Sequence, residues 1–309
     1  MSSEPLRIGT RGSPMALYQA GLVRDRLAAA HPELAVPDAI SVMPIRTTGD
    51  RVQDRLLAEI GGKGLFTKEI EAALIDRRID LAVHSLKDME TVLPDGLVIG
   101  CVLPRDDPRD ALVARHGGRL ADLPAGARIG TASLRRSAQL LRLRPDLAVA
   151  PIRGNVNTRL AKLAAGEVDA LMAALCGLQR LGRAAVATDI LAPETMLPAV
   201  GQGALAIECR AGDARVQRLL APLHDSPSAA CVTAERAMLA ALDGSCRTPI
   251  AGLATLTGDR ITLDALLLTP DGRKEFRASG TAASGDATAL GGEIGARLRR
   301  DAGPDFPVG

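Results

Sequence analysis

The apolar positions of the chain alternate between strand-like runs and helical spacing. Leu6-Arg7-Ile8-Gly9 reads as a short buried strand. Ser13 then offers an N-cap side chain, and Pro14 takes the first helical position, where its missing N–H costs nothing. Ala16, Leu17, Ala20, Val23 and Leu27 recur at helical spacing up to His31-Pro32. Further strands are predicted at 40–45, 81–83 and 97–102, with a turn at Thr47–Asp50, a glycine-rich loop at 61–64 and a helix over about 66–77. Residues 84–90 leave the carboxyl end of the third strand. After a linker at 104–108 the alternation restarts, with strands near 111–114, 127–130, 148–152 and 170–173. Helices fall over about 134–144 and 157–165, the second stopped by Gly166 at its C′ position.

This alternation predicts an α/β fold of two similar domains with mixed or parallel sheets, a cleft lying between them. From Ser226 the texture changes to a helix up to about Leu242, strands at 250–256, 261–268 and 274–280, and a helix over about 286–300. The expected organisation is a discontinuous first domain (1–103 plus about 203–222), a second over 108–198, and a small α+β third domain over 226–309.

Composition narrows the classes of function. The 309 residues carry 38 Lys+Arg against 36 Asp+Glu, a net charge of +2, too balanced for a nucleic-acid-coating protein. Aromatics make up 1%, so base-stacking platforms are nearly excluded. No apolar run approaches a membrane span, and Met1-Ser2-Ser3-Glu4-Pro5 lacks the basic and apolar regions of a secretory signal. Five cysteines, none in a CxxC pair, suggest neither a disulfide framework nor a zinc site. A cytoplasmic protein with reduced thiols is expected. The cations are 33 Arg and 5 Lys. A codon-biased genome accounts for most of them, but guanidinium forks also match carboxylate and phosphate, so their positions matter.

Ligands of open α/β sheets bind beyond the carboxyl ends of the strands. Those ends carry Thr10-Arg11-Gly12-Ser13, His84-Ser85-Leu86-Lys87-Asp88, Gly130-Thr131-Ala132-Ser133-Leu134-Arg135-Arg136 and Ile152-Arg153-Gly154-Asn155-Val156-Asn157-Thr158-Arg159. A basic residue at one such end means little in so arginine-rich a chain, but the repetition implies a polyanionic ligand. No GxxxxGK[ST] or GxGxxG loop is present, and arginine forks favour planar carboxylates.

The segments RIGTRGSPMALYQA, GGKGLFTKEIE, DLAVHSLKD, RDDPRDALV, IGTASLRRSAQL, RGNVNTRL, LPAVGQGALAIECR and ERAMLAALDGSCRTPI occur in this order. Together they resemble the successive signatures of the porphobilinogen deaminase (hydroxymethylbilane synthase) family. The resemblance implies two periplasmic-binding-protein-like lobes plus the small third domain. It also implies a dipyrromethane cofactor joined by a thioether to Cys246, and the head-to-tail condensation of four porphobilinogens with loss of ammonia, giving hydroxymethylbilane for tetrapyrrole biosynthesis. A monomer is expected, with porphobilinogen as the small-molecule partner and product hand-over to uroporphyrinogen-III synthase; neither nucleic acid nor membrane is expected as a partner, nor a metal.

The resemblance carries roles to particular residues. Asp88 falls at the catalytic aspartate, where a carboxylate stabilises the azafulvene cation left by ammonia loss and, secondarily, moves protons. An anonymous loop aspartate is otherwise a turn or cap residue. Arg135, Arg136, Arg153 and Arg159 are expected to hold acetate and propionate groups, with Arg11, Ser13, Ser85, Lys87, Thr131 and Ser133 holding others. Arg180 is a further cofactor or substrate arginine, though by itself it reads as a solvated helix charge. Lys63 and Phe66 belong to a loop that is mobile in the family. A lone cysteine is ordinarily inert, but Gly244 would end a helix and leave Cys246 on a loop beside Arg247, which favours the thiolate. Cys101, Cys176, Cys209 and Cys231 lie in apolar or helical settings.

Some positions depart from the family pattern: Glu59 stands where lysine is frequent, Met89-Glu90 where Val-Pro is frequent, Ala132 for serine and Ser245 for glycine. Two rival readings remain at this stage. A non-catalytic two-lobed carboxylate-binding protein would need neither Cys246 nor Asp88. A cysteine hydrolase would need a histidine paired with the thiol, and none of His31, His84, His116 and His224 stands in an obvious partner motif.

Overall fold

The computed structural model of the protein describes residues 4–51, 64–243, 248–304 and 306. In chain order the first elements are β1 (Leu6–Arg11), α1 (Pro14–Ala30), β2 (Ile40–Ile45), α2 (Thr48–Arg51), α3 (Lys68–Ile75), β3 (Leu81–Ser85) and β4 (Leu97–Val102). Then follow β5 (Asp110–Ala114), β6 (Arg128–Gly130), α4 (Leu134–Leu143), β7 (Ala148–Ala150), α5 (Val156–Ala164), β8 (Ala170–Ala174), α6 (Leu175–Arg180) and β9 (Asp189–Leu191). The remainder comprises β10 (Leu205–Arg210), α7 (Ala214–Leu220), α8 (Ser226–Ala241), β11 (Ile250–Thr257), β12 (Arg260–Leu268), β13 (Glu275–Ala283) and α9 (Ala287–Ala302).

The chain divides into two compact units. The first joins residues up to Arg105 with Ala204–Ala229. Its sheet has the order β2-β1-β3-β10-β4, with β1 parallel to β2 and β3, and β10 antiparallel to both of its neighbours. Ser13 caps α1, its Oγ accepting from the Ala16 N–H at 3.2 Å. Ala16, Ala20, Val23 and Leu27 form the buried face of α1, and Leu6, Ile8, Val83 and Ile207 belong to the same apolar core. On the other face Ile70, Ala73 and Leu74 of α3 pack with Ile79 and Ala82. The helix ends early because Arg77 adopts a left-handed φ of 58°.

The second unit joins Asp106–Gly203 with the chain from Ala230 onward. It holds a sheet ordered β7-β6-β8-β5-β9, in which β6 runs parallel to β7 and β8 while β5 is antiparallel to β8 and β9. The same unit contains the antiparallel β11-β12-β13 sheet, covered by α8 and α9 around a core that includes Met238, Leu242, Leu263, Ile294 and Leu298. That small sheet is fastened to α4. Ala138 and Leu197 share an apolar cluster with Ala251, Leu253, Leu266 and Leu268. At the β12–β13 turn Gly272, with φ +71°, lies against the Ala138 carbonyl, and Arg142 forks onto Glu275 at 2.6 Å. The chain from Ala230 onward therefore has its own sheet and core, yet belongs to the same compact unit as the second α/β sheet, while residues 226–229 fall in the first unit.

The architecture is the expected mixed α/β pair with a small α+β region, and local details differ. Residues 47–50 were expected as a turn, but Thr48–Arg51 makes one helical turn. Strand β3 extends through His84 and Ser85, so only Leu86–Asp88 forms the 3-10 turn beyond it. Helix α6, strand β9 and the central antiparallel strand β10 were not anticipated.

Two glycines set the approach of α9 to α8. A Cβ on Gly291 would meet the Ala234 carbonyl and sit 2.9 Å from the Met238 nitrogen; one on Gly295 would sit 2.6 Å from the Met238 carbonyl. Gly291→Val should therefore lower stability by roughly 1–3 kcal/mol through overpacking. A urea-unfolding midpoint equal to that of the parent would contradict this packing.

Candidate active site

In the first unit the turn after β3 carries Asp88, and buried bonds fix it from several directions. Ser85 Oγ accepts from Gln19 Nε2 at 2.9 Å, the Leu86 N–H reaches the Ala204 carbonyl at 3.0 Å, and the Met89 N–H closes the turn on the Leu86 carbonyl at 3.1 Å. Beneath it, buried His84 Nε2 lies 3.1 Å from Glu208 Oε2 across the β3–β10 pair. Burial pushes the nearby Glu71 carboxyl up, and the Glu208 and Glu90 carboxylates add to that effect. His84 and Ser85 therefore have separate partners and make no hydrolytic pair. Lys87 is half-buried and engaged. Asp88, half-buried, has no hydrogen-bond or ion-pair partner among the described residues. A carboxylate on a rigid turn with its own bonding capacity unspent is suited to meet a charge that arrives with a ligand.

The β1 end supplies a second group. Arg11 Nε donates to Asp50 Oδ2 at 3.3 Å, its Nη2 pairs with Asp50 Oδ1, and its guanidinium lies 4.0 Å from the Phe66 ring centroid. Ser13 Oγ is occupied in capping α1, so any ligand contact would be shared with that role. Glu90, at a departure from the family pattern, accepts from the Gly64 N–H at 2.8 Å.

In the second unit the β6 end leads into α4. Thr131 Oγ1 accepts from the Ser133 N–H at 3.1 Å, and Ser133 Oγ caps the helix on the Arg136 N–H at 3.4 Å. This aims Arg135 and Arg136, 5% and 6% exposed, at Asp110, which is fully buried. Arg135 Nη1 lies 2.8 Å from Asp110 Oδ2, and Arg136 donates through Nε and Nη2 to Oδ1 at 3.1 and 2.7 Å. Gln202 Nε2 adds a bond to the same oxygen at 2.8 Å and another to the Pro108 carbonyl at 2.7 Å. Burial alone would raise the Asp110 carboxyl, but the two guanidiniums outweigh it and hold it well below the usual carboxylate range. Burial in turn pulls Arg135 below its ordinary value, against the opposing attraction of Asp110.

Arg153 and Arg159 follow β7. Gly154 takes φ +113°, and Asn155 Oδ1 caps α5 on the Thr158 N–H at 3.0 Å. Arg159 lies beside Val113, Val156, Leu171, Met172 and Leu178. Its Nε is buried without a hydrogen-bond partner among the described residues, and burial followed by the charge of Arg136 brings the guanidinium down to about 10. Arg180, expected as a solvated helix charge on its own merits, instead donates to Asp106 Oδ2 and the Gly203 carbonyl, both at 2.8 Å.

The structure thus gathers Ser85, Lys87 and Asp88 at one strand end, and Thr131, Ser133, Arg135 and Arg136 at another. Lys63, Cys246 and the departures Glu59 and Ser245 lie outside the described residues. The sequence reading missed Asp110, Gln202, Asp50 and Glu208. Asp110 had a legible signal, a carboxylate heading the apolar run Ala111-Leu112-Val113; such a residue needs a buried cation.

Residues 6–218 match the family described as porphobilinogen deaminase, dipyromethane cofactor binding domain, and residues 229–300 match the porphobilinogen deaminase C-terminal domain. The chain belongs to the porphobilinogen deaminase family. Relatives named porphobilinogen deaminase include one from Paracoccus denitrificans, 54% identical over 98% of this chain and 96% of its own length. Another, from Nitrobacter winogradskyi, is 52% identical over 97% of this chain and 94% of its own. Among solved structures, a TRAP periplasmic solute binding protein from Desulfovibrio salexigens is similar with a TM-score of 0.45 and 12% identity, over 72% of this chain and 73% of that one.

The family's polycarboxylate cofactor suits the residues present. Arg159 Nε and Arg135 Nε are buried donors without hydrogen-bond partners among the described residues, and charge-assisted bonds to carboxylates would complete both.

The Asp110 cluster makes a direct prediction. Asp110→Ala strands two buried guanidiniums and should cost about 3–5 kcal/mol of stability in urea unfolding. Because the folded carboxyl lies below its unfolded value, its contribution is complete above about pH 3.9 and is lost only as pH falls below that. A destabilisation below about 1 kcal/mol would contradict the cluster's role.

Proposed function

We propose that this chain condenses four porphobilinogens head to tail, releasing ammonia at each step and then hydroxymethylbilane, on a dipyrromethane joined by a thioether to Cys246. The observation that carries this reading is the under-neutralised Arg159 guanidinium within the residues that match the family's cofactor-binding domain. When bound, the dipyrromethane supplies the pyrrole terminus on which the chain is extended.

The protein's own residues divide the remaining work. Asp88 places its carboxylate against the cation generated when the substrate loses ammonia, and takes or gives the proton that each substitution requires. Lys87, Ser85, Ser13 and Arg11 hold substrate carboxylates beside it. Arg153, Arg159, Arg135 and Arg136 hold acetate and propionate groups, with Thr131, Ser133 and Arg180 supporting them. Lys63 holds a further carboxylate, and Phe66 serves with it only as part of the loop. Exposed ion pairs contribute only about 0–1 kcal/mol, so retention of a growing polyanion needs the partly buried guanidiniums, whose charge-assisted bonds are worth roughly 1.5–3 kcal/mol each.

A monomer working in the cytoplasm and passing product to uroporphyrinogen-III synthase fits this chemistry. Among the described residues no helix is long and apolar enough to cross a membrane, and no group of His, Cys, Asp or Glu is arranged to hold a metal. The rival reading as a non-catalytic carboxylate-binding protein explains neither the family match nor an Asp88 without a partner among the described residues.

Intact-mass measurement tests the reading. The active protein should carry the mass of two pyrroles, and Cys246→Ser should carry none. Asp88→Asn should retain the adduct and lose at least about a hundredfold in turnover, the lower range for a positioned acid–base group. A plain polypeptide mass that does not change on adding porphobilinogen would overturn the proposal, and near-normal turnover of Asp88→Asn would remove that residue from the mechanism.

A further inference from the structure

We propose that Asp50 is a positioning residue that aims the open edge of Arg11 at a carboxylate of the incoming pyrrole, an inference that rests on the proposed function and names one more participant in it.

A guanidinium has two edges able to take a carboxylate side-on, one bounded by Nε and Nη2 and the other by the two Nη atoms. Asp50 takes the first. Nε donates to Oδ2 at 3.3 Å and Nη2 pairs with Oδ1. The second edge is open, because among the described residues no other hydrogen bond or ion pair involves Arg11. Both side chains are about three-quarters buried, with 25% and 23% of their surface exposed. The Phe66 ring lies across one guanidinium face at 4.0 Å, which limits rotation out of the Asp50 plane.

Asp50 is itself anchored. Its Oδ2 accepts from Thr47 Oγ1 at 2.8 Å, and its N–H donates to the Thr47 carbonyl at 3.1 Å. Thr47 is fully buried. Gly49 permits the close approach of Phe66, since a Cβ there would lie within the ring's own volume, 2.5 Å from its nearer Cδ. The Gly49 N–H donates to the Leu65 carbonyl at 2.7 Å, tying residues 47–50 to the segment that carries Phe66. Burial disfavours the Asp50 charge, yet Arg11 and Thr47 hold the carboxyl below its ordinary range.

The arrangement separates two functions on one arginine. One edge and one face are fixed within the protein, and the Nη1–Nη2 edge remains to bind. A guanidinium held this way loses little further freedom on meeting a second carboxylate, whereas a freely rotating arginine must be ordered by the ligand. Asp50 touches no reacting atom in this scheme and acts on the substrate through Arg11.

The test is a double-mutant cycle on the cofactor-loaded protein, with porphobilinogen as the probe. Asp50→Asn keeps the shape and removes the charge. It should raise KM about tenfold and change kcat less than about twofold, the pattern of lost substrate binding. Arg11→Ala should raise KM at least as much, and Asp50→Asn should add nothing in that background. Asp50→Glu should recover part of the loss. Intact mass should show the covalent adduct undiminished in every variant, so that a loading defect is separated from a binding one. The inference is overturned if Asp50→Asn leaves KM unchanged, lowers it, or multiplies the Arg11→Ala effect. It is also overturned if the loss proves one of kcat alone. Failure of the parent protein to turn over porphobilinogen would instead remove the function on which the inference rests.

Discussion

Two guanidiniums cannot be buried side by side unless an anion lies between them, and this constraint organises the second unit. Arg135 and Arg136 leave the first turn of α4 together, and the Ser133 cap fixes the direction in which they leave. Asp110 heads β5, and Gln202 approaches from the segment before the second unit's boundary. Each partner is buried, so none can be removed without stranding charge in a low-dielectric interior. The pairing therefore locks a helix, a strand and a loop into one arrangement. Through Leu197, whose carbonyl accepts from Arg135 Nη1 at 2.7 Å, it also reaches the contact that fastens the small β11–β13 sheet to α4.

Against that satisfied pair, Arg159 stands out. It shares the electrostatic surroundings of Arg136 but has no carboxylate partner among the described residues, where its buried Nε also finds no hydrogen-bond partner. A protein that keeps such a group accepts a cost in the free state that a bound carboxylate would offset. Asp88 shows the complementary pattern, a carboxylate on a well-braced turn with no partner among the described residues. Arg11 lies between these extremes, with one edge used internally and the other open. On the proposed function, retention of polycarboxylate pyrroles would depend on such unspent capacity more than on the number of arginines.

Much of the fold was legible because the period of the apolar positions changes cleanly. The limits of α1 and α5 were marked by Ser13-Pro14 and Gly166, whose cap and C′ roles are local, whereas the Ser133 cap of α4 emerged only from the structure. What was not legible depended on tertiary partners. Strand β10 looks unremarkable as Leu-Ala-Ile-Glu-Cys-Arg, and its buried Glu208 becomes intelligible only beside His84. Arg180 reads as a surface charge until Asp106 and the Gly203 carbonyl are seen to hold it. The candidate site followed the same division. Strand ends located Arg11, Asp88, Thr131 and Ser133, while the internal carboxylates that occupy Arg11, Arg135 and Arg136 came from distant sequence. The roles of individual residues came from the family resemblance, since spacing alone cannot tell a catalytic aspartate from a turn residue.

The most direct test asks whether the bound pyrrole chain neutralises Arg159. Arg159→Leu, loaded with cofactor and given limiting porphobilinogen, would be followed by intact mass to resolve each covalent species by its number of added rings. Neutralisation by a growing chain predicts that one chain length accumulates over the distribution seen in the parent. An unchanged distribution with unchanged turnover, or a uniform loss of affinity with no trapped species, would contradict it.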